Sequence, residues 1–426
     1  FRRWVAKEFY EEHEKAPGQS ALASALNIIE AEAQFKGPEI KLHSRVAQYD
    51  GALWYDLCDK LWRAVRITPE GWSIVDNPPI IFKRYPHQAA QVEPIAGDDA
   101  KEILRFVNIT EPEHEILFLA CLISFFIPGF PHPMPYVHGP QGSAKSTLSK
   151  IVRKIVDPSR IEVLSLPKDN QELAQALSHH HLLFFDNVSY ISASVADLLC
   201  RAVTGSGFSK RQLYTDDEDI IYTIQANIGI NGISLASNKP DLLERSVLFE
   251  LRRVEKSGRR QERELLEEFE QARPRILGAI FDVIARALAV KPTITVEQLP
   301  RMADFALWGC AIAEALEIGQ KTFLAAYARN ISSQSEELIN DSAVATLIKR
   351  IVDDRGGEWS SSPGFLFTAF KNQADAEKIV TGRLPSSPSA LMREINRLKT
   401  PFEETGYQIE SSSDRTVTIH KITSEE

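Results

Sequence analysis

Four stretches of this 426-residue chain carry residues whose types and spacing suit phosphate chemistry. The first is Gly139, Pro140, Gln141, Gly142, Ser143, Ala144, Lys145, Ser146 and Thr147. Small residues there let successive backbone N–H groups face a triphosphate, ahead of a lysine and a hydroxyl. Lys145 is expected to reach the β and γ phosphates of ATP, and Ser146 to hold Mg2+. One position departs from the usual pattern, because Ala144 stands where glycine ordinarily precedes the lysine. The second stretch, 41 residues beyond Lys145, is the apolar run Leu182, Leu183, Phe184, Phe185 closed by Asp186. A buried strand that delivers a carboxylate at its C-terminal end places Asp186 to polarise magnesium-bound water. Asn187 follows where a general-base glutamate is usual; it is assigned to orient the attacking water, which leaves the proton acceptor open. The third is Asn231, another 45 residues on, in IGING. A polar side chain there would bond the γ phosphate or the attacking water, although a turn asparagine before glycine reads the same locally. The fourth is Arg245 in NKPDLLERSVLFEL, which would stabilise charge on a neighbouring subunit's nucleotide and so implies a ring. A plain surface arginine is the alternative.

These residues need a scaffold, and the pattern between 135 and 251 supplies one. Short apolar runs (PYVH, IEVLSL, LLFF, IGINGI, SVLFEL) alternate with amphipathic segments, which predicts a five-stranded parallel sheet with helices on both faces, an α/β core. The phosphate loop opens a helix in which Leu148, Ile151, Val152, Ile155 and Val156 recur at helical spacing until Asp157 and Pro158 stop it. Upstream, residues 40–85 read as a small antiparallel β unit with turns at Asp50-Gly51 and Glu70-Gly71. Its Trp54, Trp62 and Trp72 are assigned to the core of that sheet rather than to a base-stacking face. Helices are expected over 99–108 and 111–127, the second capped by Thr110, and further ones over 262–289 and 303–330. The end, 342–422, mixes helices with a terminal β hairpin. The expected division is 1–97 (helical and β-rich), 98–255 (ATPase core), 256–335 (helical subdomain) and 336–426 (a winged-helix domain).

Composition bounds the function. With 43% hydrophobic and 25% charged residues the chain supports a packed core, and its formal charge of −9 confines any nucleic-acid contact to a local patch. Cys58, Cys121, Cys200 and Cys310 are never close enough in sequence for a zinc or redox motif, which suggests a reducing, cytoplasmic compartment. The most apolar run, Ile116 to Ile127, is 12 residues, short of the roughly 20 that span a bilayer, so no membrane partner is expected. No signal peptide opens the chain, and a start at Phe1 suggests a piece of something longer.

The runs GPQGSAKST, FFDN, TGSGFSKRQLYTDDED, INGI and DLLERS resemble the AAA+ ATPase module of superfamily 3 helicase-type proteins. The likeness is strongest to primase-associated helicases of phages and mobile elements and covers about Lys101 to Leu251. AQYDGALWYDL and VDNPPIIFKR are also similar to segments preceding the ATPase in primase-helicases. The resemblance implies ATP and Mg2+ as cofactors and a homo-oligomeric, hexameric ring. It also implies ATP-driven movement on single-stranded DNA, commonly 3′ to 5′, and a primase domain or protein as partner. The setting would be replication of a phage or mobile element in a host cytoplasm. In that family a β hairpin before the Asn231 position touches DNA. Here 209–214 and 220–224 are its candidate strands, and the tip is acidic, with Asp216, Asp217, Glu218 and Asp219. Lys210 and Arg211 are therefore the candidate phosphate contacts and Tyr214 the stacking platform; solvated edge residues are the equal alternative. SPSALMREINRLKTPFEETG would be a recognition helix and turn, with Arg393, Arg397, Lys399 and Arg415 as a basic face, and a helical subdomain without DNA affinity fits nearly as well. The alternative function is an AAA+ switch or remodeller acting on protein. The hairpin between Asp186 and Asn231 favours the motor on DNA.

Overall fold

A computed structural model of the chain describes all residues except 206, 212–218, 237–238, 377–383, 413–415 and 423–426, with backbone only over 207–211 and 219–223 and at 341. Two compact units emerge. One, Phe1–His43 with Pro79–Lys83, holds helices α1 (Arg2–His13) and α2 (Gln19–Lys36) and a parallel pair formed by β1 (Leu42–His43) and a later strand, Ile81–Phe82. The other, Ser44–Pro78 with 84–426, holds the remainder.

In this larger unit, β2 (Val46–Tyr49), β3 (Ala52–Asp56), β4 (Ala64–Thr68) and β5 (Gly71–Val75) form an antiparallel meander in sequence order. Asp50 and Gly51 both take positive φ, the twist a two-residue hairpin requires. Trp54 is buried and donates to Tyr49 O, and Trp72 donates to Asp282, so both serve the core as expected. Trp62 does not: it is exposed, with the Arg84 guanidinium 3.9 Å over its ring. The strand Ile81–Phe82 is β6.

A 3₁₀ turn over Ala100–Phe106, capped by Asp99, replaces the helix expected at 99–108. Helix α3 (Pro112–Ser124) starts after Glu111 rather than at a Thr110 cap, with Pro112 at the first helical position, where its missing N–H is no loss. Then come β7 (Met134–His138), α4 (Lys145–Val156), α5 (Asn170–His179), β8 (Leu182–Phe185), α6 (Ala193–Thr204), β9 (Gly207–Arg211), β10 (Asp219–Thr223), β11 (Asn227–Gly232), α7 (Pro240–Leu243) and β12 (Ser246–Glu250). Strands β12, β7, β11 and β8, in that spatial order, form a parallel sheet whose residues are buried almost throughout, as their continuous apolar runs require. Helix α4 packs on β8 and β11.

The sheet has four strands among the described residues, not five. IEVLSL contributes a single parallel bridge, Leu164 to Phe185, with Leu164 N donating to Phe184 O and Asp186 N to Leu164 O. It lies half-exposed at the edge beside β8, Glu162 is paired with Lys154, and Pro167 has no N–H with which to continue a ladder.

Helices α8 (Glu262–Val290), α9 (Ala303–Ala315) and α10 (Gln320–Asp341) follow. The expected helix over 303–330 is thus two, because Glu317 and Gly319 take positive φ and turn the chain. The C-terminal part runs α11 (Ala343–Asp353), β13 (Glu358–Ser361), α12 (Pro363–Ala376), α13 (Pro388–Arg397), α14 (Lys399–Glu404), β14 (Tyr407–Ser411) and β15 (Val417–Lys421). Its three strands form an antiparallel sheet in the order β13-β15-β14, and it has its own core, from Ile339 to Ile419, apart from the main one. Among the described residues, no helix is long and apolar enough to cross a membrane.

Candidate functional site

The loop 139–144 joins the end of β7 to the start of α4 and is shaped by backbone that most residues refuse. Gly139 has φ 145°, and a Cβ there would meet Leu251 O at 2.2 Å. Gly142 also takes positive φ, and Ala144 heads α4 in the left-handed region at φ 62°, ψ 27°. That conformation costs an L-residue about 1–2 kcal/mol, so the alanine meets the geometry the usual glycine meets, with strain. The loop is braced from outside: Asn108 Nδ2 donates to Ser143 O (3.1 Å) and to Arg252 O (2.7 Å), and Val254 N donates to Gly142 O (3.1 Å). Ser143 Oγ donates to Pro140 O. Lys145 folds back over the loop, its Nζ donating to Gly139 O (2.8 Å), Pro140 O (2.9 Å) and Ser143 Oγ (3.2 Å). Partial burial lowers its pKa, and Asp186 opposes that shift. Gln141 is exposed, and Thr147 is half-buried in the first turn of α4.

Ser146 and Asp186, 40 residues apart, meet at 2.8 Å, the hydroxyl donating to Oδ1. A hydroxyl and a carboxylate side by side are the oxygen donors a hard dication takes, so the pair suits Mg2+. Asn187, exposed at φ 55°, turns the chain just after β8. Its N–H donates to Asn231 Oδ1 (2.9 Å), while Asn231 Nδ2 donates to Ser149 Oγ (2.9 Å), which in turn donates to Lys145 O. Asn231 is thus brought to the site, fully buried, with its amide clamping α4 to the turn after Asp186.

Arg245 stands apart from this cluster. Its guanidinium donates to Asp241 O (2.9 Å) and to the Asp241 carboxylate, and Arg301 donates to the same carboxylate at 2.5 Å while pairing with Glu244. Burial would raise the Asp241 pKa, but the bonds from Arg245 and Cys200 and the charges of Arg245 and Arg301 together outweigh it, and the net shift is downward. Both guanidinium groups line a cavity of about 150 Å³ with Thr204, Met302 and Asp304. Asp241, Arg301 and Asn108 carry no local signature, and sequence reasoning missed them.

The expected hairpin exists, with shifted bounds: β9 pairs antiparallel with β10, placing Lys210 opposite Ile220 and Arg211 opposite Asp219. Tyr214 and 215–218 lie outside the described residues.

A family model described as "Actinomycete integrative conjugative element replication protein" matches residues 100–335, and one for the AICE RepA C-terminal domain matches 342–426. No curated protein matches the chain. Solved structures similar to it include the A form apo NrS-1 C-terminal region (13% identity, 94% of this chain, 90% of that one, TM-score 0.39). Another is the SCCmec type IV Cch, an active helicase (11% identity, 100% and 87%, TM-score 0.44). Superpositions this loose carry no argument about function.

Proposed function

The chain belongs to the family of actinomycete integrative conjugative element replication proteins, and on that premise we propose that it is an ATP-dependent DNA helicase or translocase working as a ring on single-stranded DNA. The observation that supports the reading most is the meeting of Ser146 with Asp186 at 2.8 Å beside a lysine-bearing loop that opens α4. We assign residues 98–255 as an AAA+ ATPase core of the superfamily 3 type, 256–335 as its helical subdomain, and 336–426 as a winged-helix domain.

In this reading, backbone N–H groups of 141–146 point at the triphosphate, at the positive end of α4. Lys145, now bonded to loop carbonyls, exchanges them for β and γ oxygens and neutralises the charge that grows there. Ser146 and Asp186 hold Mg2+, which supplies charge compensation when bound. Asn231 fixes the turn that carries Asn187, and Asn187 orients the water. Arg245 leaves Asp241 to complete the site of the next subunit, and hence a hexamer is expected. Lys210, Arg211 and Tyr214 take the DNA strand. The protein works in the cytoplasm of the element's host, with a primase activity as partner.

The test is the ATPase rate with and without single-stranded DNA. Stimulation of about tenfold or more supports the motor. An equal rate with and without the strand would replace it with an AAA+ remodeller acting on protein.

A further inference from the structure

The C-terminal part offers a second surface, away from the phosphate site. In its order of helix, strand, three helices and a final hairpin, α13 follows α12 and takes the place of the second helix of a helix-turn-helix, with β14 and β15 as the wing. Helix α13 buries one side only: Leu391 and Ile395 enter the domain core, followed by Leu398. Its opposite side exposes Ser389, Arg393 and Asn396, with Ser386 just before the helix and Thr400 beyond it. Steps of four and three residues put Ser389, Arg393 and Asn396 on one stripe of α13.

The stripe carries no carboxylate. The one acid of α13, Glu394, is half-buried and bonded to Arg397. That pairing removes Arg397 from the basic face expected from the sequence, Lys399 stands 3.9 Å from Glu403, and Arg415 lies outside the described residues. What remains is one guanidinium, one amide and one hydroxyl on a rigid rod about 10–12 Å across, matching a major groove about 12 Å wide. Arginine pairs bidentately with guanine and asparagine with adenine. The stripe lacks the aromatic or apolar anchors that carry protein interfaces, so a protein partner is disfavoured. Charge alone does not attract DNA here, since 342–426 holds 11 Lys and Arg against 12 Asp and Glu. Hydrogen bonding to base edges therefore sets the preference.

We propose that α13 reads the base sequence of a double-stranded DNA site through Ser389, Arg393 and Asn396. This gives the chain a sequence-dependent hold on duplex DNA distinct from any single-strand path. The proposal rests on the winged-helix reading of this domain and is independent of the ATPase.

The full chain, without nucleotide, is offered a pool of duplexes with 20 random base pairs, and retained molecules are amplified and sequenced over several rounds. The expected result is enrichment of a short motif containing guanine and adenine. In fluorescence anisotropy, Arg393→Ala and Asn396→Ala should each weaken the enriched duplex on the order of 10- to 100-fold while leaving a scrambled duplex unchanged. Because both side chains are exposed, their circular dichroism and ATPase rate should match wild type. No enrichment, unchanged affinity of both variants, or equal binding of the single strand would overturn the proposal. Lack of ATPase stimulation by single strands would count against the motor and leave this selection undisturbed.

Discussion

Asp157 sits where α4 ends, and replacing it by asparagine tests how the phosphate-loop helix is held. Its carboxylate is fully buried and accepts from Arg45 Nε (2.8 Å), Arg153 Nη1 (2.9 Å) and the N–H groups of His181 and Leu182 (3.2 and 3.3 Å). Burial alone would raise its pKa; Arg153 and Arg45 override that and hold the carboxyl well below the usual carboxylate range. Asp157→Asn removes the only anion bonded to Arg45 and Arg153 among the described residues and strands two guanidinium groups that are 0% and 1% exposed. Breaking a buried pair in this way costs about 3–5 kcal/mol. Arg45→Met should cost less, because Asp157 keeps Arg153. The assay is hydrogen exchange read by mass spectrometry on peptides covering 52–57 and 145–157. Where exchange goes through opening of this unit, protection should fall roughly 100- to 4,000-fold in the Asp157 variant. A fall below about tenfold in both peptides, or a larger loss in Arg45→Met, would refute the claim that the carboxylate neutralises the pair.

Lys145→Ala should leave less than about a tenth of the ATPase activity, measured as phosphate release, because the loop then has no cation of its own to neutralise the charge that grows on the β and γ oxygens. Arg245→Ala should bind ATP yet hydrolyse it on the order of 10³-fold slower, and mixing it with Lys145→Ala under subunit exchange should restore part of the rate; no rescue would put hydrolysis within one chain. Removing Lys210 and Arg211 together should flatten the salt dependence of single-strand binding by about 0.7 per lost phosphate contact, and an unchanged slope would move the strand elsewhere. His132 is pushed down to about 3 by burial, so below its ordinary value of 6.5 the unfolded chain takes up a proton that the folded chain refuses. Stability should therefore be full above pH 6.5 and fall as pH drops toward 3, by about 2 kcal/mol at pH 5 from this residue. His180, held near 3 in the same way, adds to the loss, and an equal urea midpoint at pH 7.5 and 5 would count against both.

What the sequence made legible was local. A loop of small residues ahead of Lys145 announces its backbone, and LLFF-Asp announces a buried strand with a carboxylate at its end, because in both the chemistry lies within a few residues. Even the Ala144 departure becomes intelligible from one dihedral pair. Reading failed where a partner distant in sequence decides. IEVLSL has strand composition, but its edge position and Pro167 reduce it to a bridge. Periodicity ran through Glu317 because an apolar pattern does not register a left-handed turn. Arg397 looked like part of a basic face until its rotamer toward Glu394 was fixed. Asp241, which gathers Arg245 and Arg301 across 60 residues, could not be inferred from either neighbour.

Partners distant in sequence also explain why a small antiparallel sheet accompanies the phosphate loop. Helix α4 is 12 residues long, too short to be stable by itself, and its last carbonyls need donors. They come from outside the helix: Tyr55 OH donates to Val156 O (3.0 Å), Gln91 Nε2 to Ile155 O (2.9 Å), and Arg45 to Pro158 O just beyond. Gln91 is fixed in turn by Arg273 of α8 through its Oε1. At the other end, Ser149 and the Lys145 carbonyl are tied to Asn231 and so to β11. A rod clamped at both ends has little freedom to tilt, so the position of Lys145 and Ser146 depends on residues of the meander that touch no nucleotide. Changes at Tyr55 or Gln91 should accordingly appear in the ATPase as weaker nucleotide binding, whereas changes at Lys145 should appear in turnover.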